Sequence, residues 1–186
     1  MQLTEHLIPA YKNMLTALSG WLTKAAGEND NPDDVLSARL ASDMFPLSTQ
    51  IRFACVQAYE GVARLKGEPF PEVWLDLIEE GRNGGEAPGT LEDAQVRIRE
   101  TLDFLGALPK GALDDGAGLA IAHDLPTGMI FDMTGEQYAR DWALPQFYFH
   151  LMTAYAILRH SGVDLGKADY VTHAFAYLRP GTLPQS

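Results

Sequence analysis

The chain has 186 residues, 46% of them hydrophobic and 21% charged, with a formal net charge of −11 and a pI near 4.7. These proportions are those of a folded protein with one sizeable core, and they exclude a disordered chain. The 14 Lys and Arg are scattered among 25 Asp and Glu and form no basic stripe. We therefore expect neither nucleic acid nor an anionic membrane surface as a partner.

Hydropathy and cysteine content predict a cytoplasmic protein. No apolar run approaches the roughly 18 residues of a membrane span, and the first residues lack the pattern of a secretory signal peptide. The one cysteine, Cys55, excludes an internal disulfide and a CxxC site. It neighbours apolar residues, so we predict a buried small side chain rather than a nucleophile. No linker divides the chain, and we predict a single domain over residues 1–186.

Apolar residues at three- and four-residue steps predict the first three long helices. The first runs from Leu3 to about Lys24, and the second from Asp43 or Pro46 to Lys66. The third spans about Leu91 to Leu105, with Thr90 as its N-cap. Stretches rich in Gly and Pro, namely GENDNPDD, GEPFPEVW and EEGRNGGEAPG, predict loops, the last two around one short middle piece.

The periodicity then changes. Hydrophobic residues alternate with others over 119–121 and again over 129–133, which predicts a β-hairpin. A fourth helix opens with Thr134 and Gln137, spaced as a capping box, and ends at Gly162. The predicted fold is therefore all-α, a four-helix bundle with a small β-hairpin before the last long helix. One further short helix is predicted near residues 170–178.

His150 lies in the apolar run PQFYFHLMTAYAILRH at 145–160. On a wheel at about 100° per residue it sits near the middle of the apolar arc, which also contains Gln146 one turn earlier. We therefore expect His150 to point into the bundle. A buried imidazole needs hydrogen-bond partners, or it loses roughly 1–3 kcal/mol per unsatisfied group. Gln146, Thr153 or Tyr11 could supply them, and a metal ion remains the alternative.

Pro145 sharpens this expectation because it removes the hydrogen bond to the carbonyl of Asp141 and bends the helix axis. A bend directly before Gln146 and His150 could open space in the core. It could also simply let the helix follow the hairpin before it.

Three strings of this sequence resemble a known family. They are RLASDMFPLSTQIRFAC at 39–55, MTGEQYARDWALPQFYFH at 133–150 and TAYAILRHSGVDLGKADY at 153–170. They resemble an uncharacterised bacterial domain-of-unknown-function family in the DinB/YfiT-like superfamily of metalloenzymes. The resemblance covers nearly the whole chain and leaves about 171–186 outside it. It implies a DinB-like four-helix bundle. It also implies three metal-binding histidines, and some relatives are metal-dependent thiol transferases or isomerases.

The chain departs from that superfamily pattern at two of the three histidine positions. His150, twelve residues before Gly162, matches the second histidine of the HxxxH motif on the last helix. Gln146 occupies the first position of that motif. The second helix has no histidine, and Asp43 and Gln50 are its nearest polar substitutes. The resemblance thus implies a degenerate metal site. We expect no cofactor, with His150 as a weak candidate ligand for a divalent metal.

Three functions from different classes remain open. The first is a small-molecule-binding bundle whose pocket lies at the former ligand turn and contains His150, Gln146, Asp43, Gln50, Trp142 and Tyr11. The second is a metal-dependent enzyme, resembling the thiol transferases and isomerases, with oxygen ligands beside the imidazole of His150 and a hard ion such as manganese or iron. The third is a non-catalytic protein that acts as a homodimer through its helix faces.

Several polar residues have a simpler structural interpretation. Asp43 is predicted to be the N-cap of the second helix, and Gln50 to lie at the boundary of the core. His160 is predicted to stabilise the last turn of its helix through the helix dipole. His6 and His123 are predicted to be exposed.

Overall fold

A computed structural model describes residues 2–28 and 31–182, and within this part of the chain four long helices form the bundle. They are α1 (Leu3–Glu28), α2 (Leu47–Lys66), α4 (Leu91–Ala107) and α6 (Leu144–His160), and a shorter helix, α3 (Glu72–Asn83), precedes α4. The predicted all-α four-helix bundle is confirmed. None of the helices in the described ranges is long and apolar enough to cross a membrane.

The helix α2 is the centre of the packing, since it contacts α3, α4 and α6. The apolar stripes of the long helices meet in one core, whose largest fully buried side chains include Trp21, Tyr11, Tyr138 and Phe147. The rings of Tyr11 and Phe147 meet edge to face with their centroids 4.7 Å apart. Burial of one large apolar side chain contributes about 1.5–3 kcal/mol, so this core is the main source of stability.

The helix α3 is longer than predicted. It extends into both of the stretches, GEPFPEVW and EEGRNGGEAPG, that were predicted to be loops. Pro71 is extended and stands directly before the helix, where its missing N–H costs nothing. Gly81 looks like a loop residue but lies buried inside α3, where a Cβ atom would overlap the ring of Phe53 on α2. This glycine therefore serves close helix packing rather than a turn.

The predicted hairpin forms from β1 (Ala120–Asp124) and β2 (Ile130–Thr134), which pair antiparallel. Alternate residues of β1 are buried, so Ile121 and His123 face inward. The prediction that His123 is exposed is wrong, since only 4% of it is accessible. The strand alternation that buries Ile121 also buries His123.

The last long helical segment begins with the predicted capping box of Thr134 and Gln137, in which both reciprocal hydrogen bonds are present. A short α5 (Gly135–Gln137) leads into a π-helical turn (Tyr138–Ala143), which is followed by α6. Pro145 falls in the first turn of α6, directly after the widened turn. The irregularity expected at Pro145 thus takes the form of a π turn, a feature that is frequent at functional sites.

The helix α6 ends as predicted, with Gly162 as the residue directly after its C-cap. Its C-cap is Ser161, and Gly162 has φ +94°, a left-handed conformation that favours glycine. Beyond it, α7 (Lys167–Tyr170) and a 3-10 helix (Thr172–Tyr177) occupy most of the region where one short helix is predicted.

Candidate functional site

His150 and Gln50 form a buried polar pair between α6 and α2. Nδ1 of His150 lies 2.9 Å from Oε1 of Gln50. Because an amide oxygen can only accept, the imidazole donates from Nδ1. The amide nitrogen of Gln50 donates in turn to the carbonyl of Phe45 at 3.2 Å. Gln50 is 3% exposed, so its predicted boundary position is wrong.

The surroundings of His150 keep its imidazole neutral. The rings of Phe53 and Phe149 lie edge to face with it, at centroid distances of 5.4 and 5.3 Å. The residue is 9% exposed, and this burial lowers the pKa of its imidazole to about 4. At neutral pH the ring is therefore an uncharged, hydrogen-bonded core group.

The other residues predicted at this turn lie elsewhere. Asp43 is exposed in the turn before α2. It is not the N-cap, because the extended Pro46 occupies that position. Tyr11 is completely buried in the core on α1. The side chain of Gln146 is half-buried and makes no hydrogen bond within the described ranges. Trp142 is half-buried and packs on His123 instead.

The donors at this turn do not fit the metal that the superfamily implies. The Gln50–His150 pair offers one imidazole and one amide oxygen, whereas a catalytic zinc site uses about three protein ligands. Within residues 2–28 and 31–182, no group of three or more His, Cys, Asp or Glu side chains could hold a metal ion. We therefore assign no chemical step to a metal at His150.

A cavity of about 350 Å³ lies between α2, α3, the hairpin and the π turn, and we name it the hairpin pocket. The helix α2 lines it with Gln57, Glu60 and Arg64, whereas the opposite walls contain Trp74, Arg82, His123, Asp124 and Trp142. Of the residues predicted for the site, only Trp142 lines this pocket. The other lining residues were not predicted from the sequence.

One face of α2 connects the Gln50–His150 pair with the hairpin pocket. Gln50, Phe53, Gln57, Glu60 and Arg64 follow one another at steps of three, four, three and four residues. Residues at this spacing share one face of a helix. This polar stripe on a helix at the centre of the bundle is the sequence signal that could have located the pocket.

Three charged groups of the pocket, Glu60, Arg64 and Asp124, are paired with one another. The guanidinium of Arg64 donates from Nε to Oε1 of Glu60 at 2.8 Å, and its Nη2 lies 3.4 Å from Oδ1 of Asp124. Glu60 is only 7% exposed, and burial raises the pKa of its carboxyl although Arg64 opposes the shift. Arg64 thereby links the hairpin to α2 and compensates the buried carboxylate.

His123 stands beside this ion pair without a hydrogen bond of its own in the described part of the chain. Its Nδ1 lies 3.6 Å from Oε1 of Glu60, just beyond hydrogen-bonding distance. Its ring is 4.3 Å from that of Trp142. Burial, together with the charge of Arg64, lowers the pKa of His123 to about 4. The neutral ring offers one donor and one acceptor.

Unpartnered polar atoms are concentrated around the pocket. Oε1 of Gln57, Nε1 of Trp74 and both ring nitrogens of His123 are closed off from solvent and have no hydrogen-bond partner in the described residues. The buried hydroxyls of Tyr11 and Tyr138 are also unpartnered there, and burial followed by the charge of Glu60 raises the pKa of both. Native proteins pair about 90% or more of such groups, so this concentration is unusual.

Comparison with known proteins places the chain in a family. Residues 3–171 match the family described as "Domain of unknown function (DUF1993)". The chain belongs to this family. It is also similar to a DinB family member protein from Shewanella denitrificans, known from a crystal structure, with 30% sequence identity and a TM-score of 0.74. That match covers 98% of this chain and 96% of the other. None of the curated proteins compared with this DUF1993 chain matches it. The resemblance inferred from the sequence is confirmed.

Proposed function

We propose that this DUF1993 protein is a cytoplasmic protein that binds a small polar molecule in the hairpin pocket. The proposal rests on the state of His123. This residue is 4% exposed, and neither of its ring nitrogens has a hydrogen-bond partner in the described residues, although it lies beside the ion pair of Glu60 and Arg64. An unpaired buried polar group costs about 1–3 kcal/mol, and a bound molecule would recover that cost. The proposed site therefore lies not beside the Gln50–His150 pair but further along the same face of α2, at Gln57, Glu60 and Arg64.

The composition of the pocket supports a small molecule. Its volume of about 350 Å³ lies within the range of about 300–1,000 Å³ that small-molecule sites occupy. Half of its lining residues are aromatic or otherwise apolar and half are charged or polar, so the pocket suits a polar molecule better than a purely apolar one.

Nuclear magnetic resonance of the indole N–H groups tests this function with a library of small polar fragments. Trp74 and Trp142 line the pocket, whereas Trp21 donates its indole N–H to the carbonyl of Asp169, which is not among the residues lining the pocket. We expect fragments that bind to shift the Trp74 and Trp142 signals and leave the Trp21 signal in place. A library in which no fragment shifts either pocket signal would contradict the proposal.

We further propose that the Gln50–His150 pair replaces the superfamily's metal site and that the protein uses no metal. The donor set supports this, because a catalytic zinc site uses about three protein ligands and no group of three or more His, Cys, Asp or Glu side chains within residues 2–28 and 31–182 could hold a metal ion. Elemental analysis of protein purified without a metal-affinity tag is expected to find far less than one transition metal per chain. A stoichiometric metal would favour the metal-dependent thiol transferase or isomerase instead.

A second candidate function, homodimerisation, has one observation in its favour. Phe149 and Met152 lie one turn apart on α6, and they are 57% and 44% exposed. Phe45, near the start of α2, is 53% exposed. Apolar side chains at this exposure are candidates for a contact between two copies. Light scattering at micromolar concentration would detect a dimer, and Phe149→Glu should dissociate it. A monomeric wild type would rule this candidate out.

A further inference from the structure

The polar atoms of the hairpin pocket define what a bound molecule must offer. Oε1 of Gln57 is an acceptor and the indole N–H of Trp74 is a donor, and the neutral imidazole of His123 adds one of each. These atoms are closed off from solvent, so binding requires Gln57, Trp74 and His123 to rotate and turn them toward the cavity. After such rotations the pocket would offer both donors and acceptors.

The charges around the pocket favour a neutral molecule. Two carboxylates, Glu60 and Asp124, balance the guanidinium groups of Arg64 and Arg82. Arg64 already contacts both carboxylates, at 2.8 and 3.4 Å, so its charge is largely compensated. A cation would have to draw the two carboxylates away from Arg64, and an anion would have to take the exposed guanidinium of Arg82 out of water. Either alternative carries the desolvation cost of a charge.

The walls of the pocket favour a flat molecule. The rings of Phe70 and Trp74 stack on each other at 4.3 Å with their planes 19° apart. Trp142 contributes another ring to the lining, and it packs against His123. Aromatic side chains pack well on planar rings through offset or edge-to-face contacts. The volume of about 350 Å³ suits a single small ring system better than a dinucleotide.

We propose that the hairpin pocket binds a neutral, planar heterocycle with adjacent N–H and C=O groups, such as the cyclic amide or ureide edge of a pyrimidine-type ring. Such an edge presents donors and acceptors side by side, which complements Gln57, Trp74 and His123. This inference rests on the proposed small-molecule function and specifies its ligand class.

Uracil and 1,3-dimethyluracil make a matched pair of probes, because methylation removes both N–H donors and leaves the ring and its carbonyls in place. The full chain labelled with ¹⁵N is titrated with each compound, and the Trp74 indole signal is assigned with Trp74→Phe. We expect uracil to shift that signal saturably in the millimolar range and 1,3-dimethyluracil to bind at least tenfold more weakly. The Trp21 signal is the internal control and should not move with either compound.

Two variants at the key histidine separate chemistry from packing. His123→Phe keeps a planar ring but removes the donor and acceptor, and should weaken uracil binding at least tenfold. His123→Gln keeps both kinds of group and should retain more of the affinity. His160→Phe, the same change at an exposed site on α6, should leave binding unchanged. The wild-type comparison of the two probes needs none of these variants to fold.

The possible results distinguish a wrong ligand class from a wrong small-molecule function. Equal binding of uracil and 1,3-dimethyluracil would overturn the proposed ligand class. The same holds if charged fragments such as benzoate shift the Trp74 signal and uracil does not, although small-molecule binding itself would then stand. If no fragment of any class shifts the pocket signals, both the ligand class and the proposed function fail.

Discussion

Replacing His150 by leucine should destabilise the protein at neutral pH and stabilise it, relative to wild type, in acid. At pH 7.5 the change removes the hydrogen bond to Gln50 and leaves a buried amide oxygen without that partner. Such a loss costs about 1–3 kcal/mol. Leucine fills much of the same volume and recovers part of the loss through apolar burial. We therefore expect His150→Leu to remain folded and to lower the free energy of unfolding by no more than about 2 kcal/mol.

In acid the wild type should become less stable than His150→Leu, because burial lowers the pKa of His150 to about 4 in the folded protein. In the unfolded chain the imidazole has a pKa of about 6.5, so the unfolded state takes up the proton first as the pH falls. The contribution of a neutral His150 is complete above about pH 6.5 and is lost as the pH falls toward 4. The loss amounts to about 2 kcal/mol at pH 5 and about 3 kcal/mol at pH 4. His150→Leu is free of this loss, and the two stabilities should cross near pH 5.

Urea unfolding followed by tryptophan fluorescence measures this difference, with light scattering as a check for aggregation near the pI. Other titrating groups, including His123 and Glu60, are common to both proteins and cancel in the comparison. His160→Leu, at an exposed position on α6, is the control and should show no crossing. His150→Asp should destabilise far more than His150→Leu at pH 7.5, since it buries a carboxylate without a cation. A difference between wild type and His150→Leu that stays constant from pH 7.5 to 4.5 would refute the reasoning.

Three further predictions concern other parts of the fold. Gly116→Ala should unfold the protein or destabilise it by several kcal/mol, because a Cβ there would overlap backbone, whereas Gly118→Ala has open space and should be tolerated in the same denaturation assay. Arg64→Met should cost about 3–5 kcal/mol at pH 8, where the buried Glu60 carboxyl is left charged and unpaired, and less at pH 5, where that carboxyl can be neutralised. Burial raises the pKa of the Cys55 thiol to about 11, so a thiol reagent at pH 8 should label it only as fast as the chain unfolds.

The long helices and the hairpin were predictable because their apolar periods are strong. The N-cap at Thr90 and the capping box of Thr134 and Gln137 also form as predicted. The helix α3 was not predictable by the same rules, because glycine and proline are local signals for turns. Gly81 sits inside a helix for a tertiary reason, the close approach of Phe53, and no local pattern records that contact.

For the candidate site, the sequence predicted only which helix face each side chain occupies and not which residues contact one another. The wheel placed His150 inward correctly, but its partner Gln50 lies 100 residues away and could not be chosen by spacing. His123 was misplaced because a five-residue strand with small neighbours gives little indication of which face the bundle covers. Its burial depends on the packing of the hairpin against Trp142 and Tyr138.

The π turn contains Trp142, which lines the proposed pocket, whereas His150 lies on the regular helix that follows and contacts Gln50. A π turn takes more residues per turn than an α-helix, so the face that α6 presents rotates between residues 138 and 144. Pro145 cannot donate a backbone hydrogen bond, which favours such an irregularity directly before it. Gln50 and Gln57 are seven residues apart, a rise of about 10 Å along α2. Gln50 on α2 is paired with His150, whereas Gln57, two turns further along the same face, has an unpaired Oε1. In the proposed pocket the other unpaired polar atoms on which a ligand would act belong to Trp74 on α3 and His123 on β1.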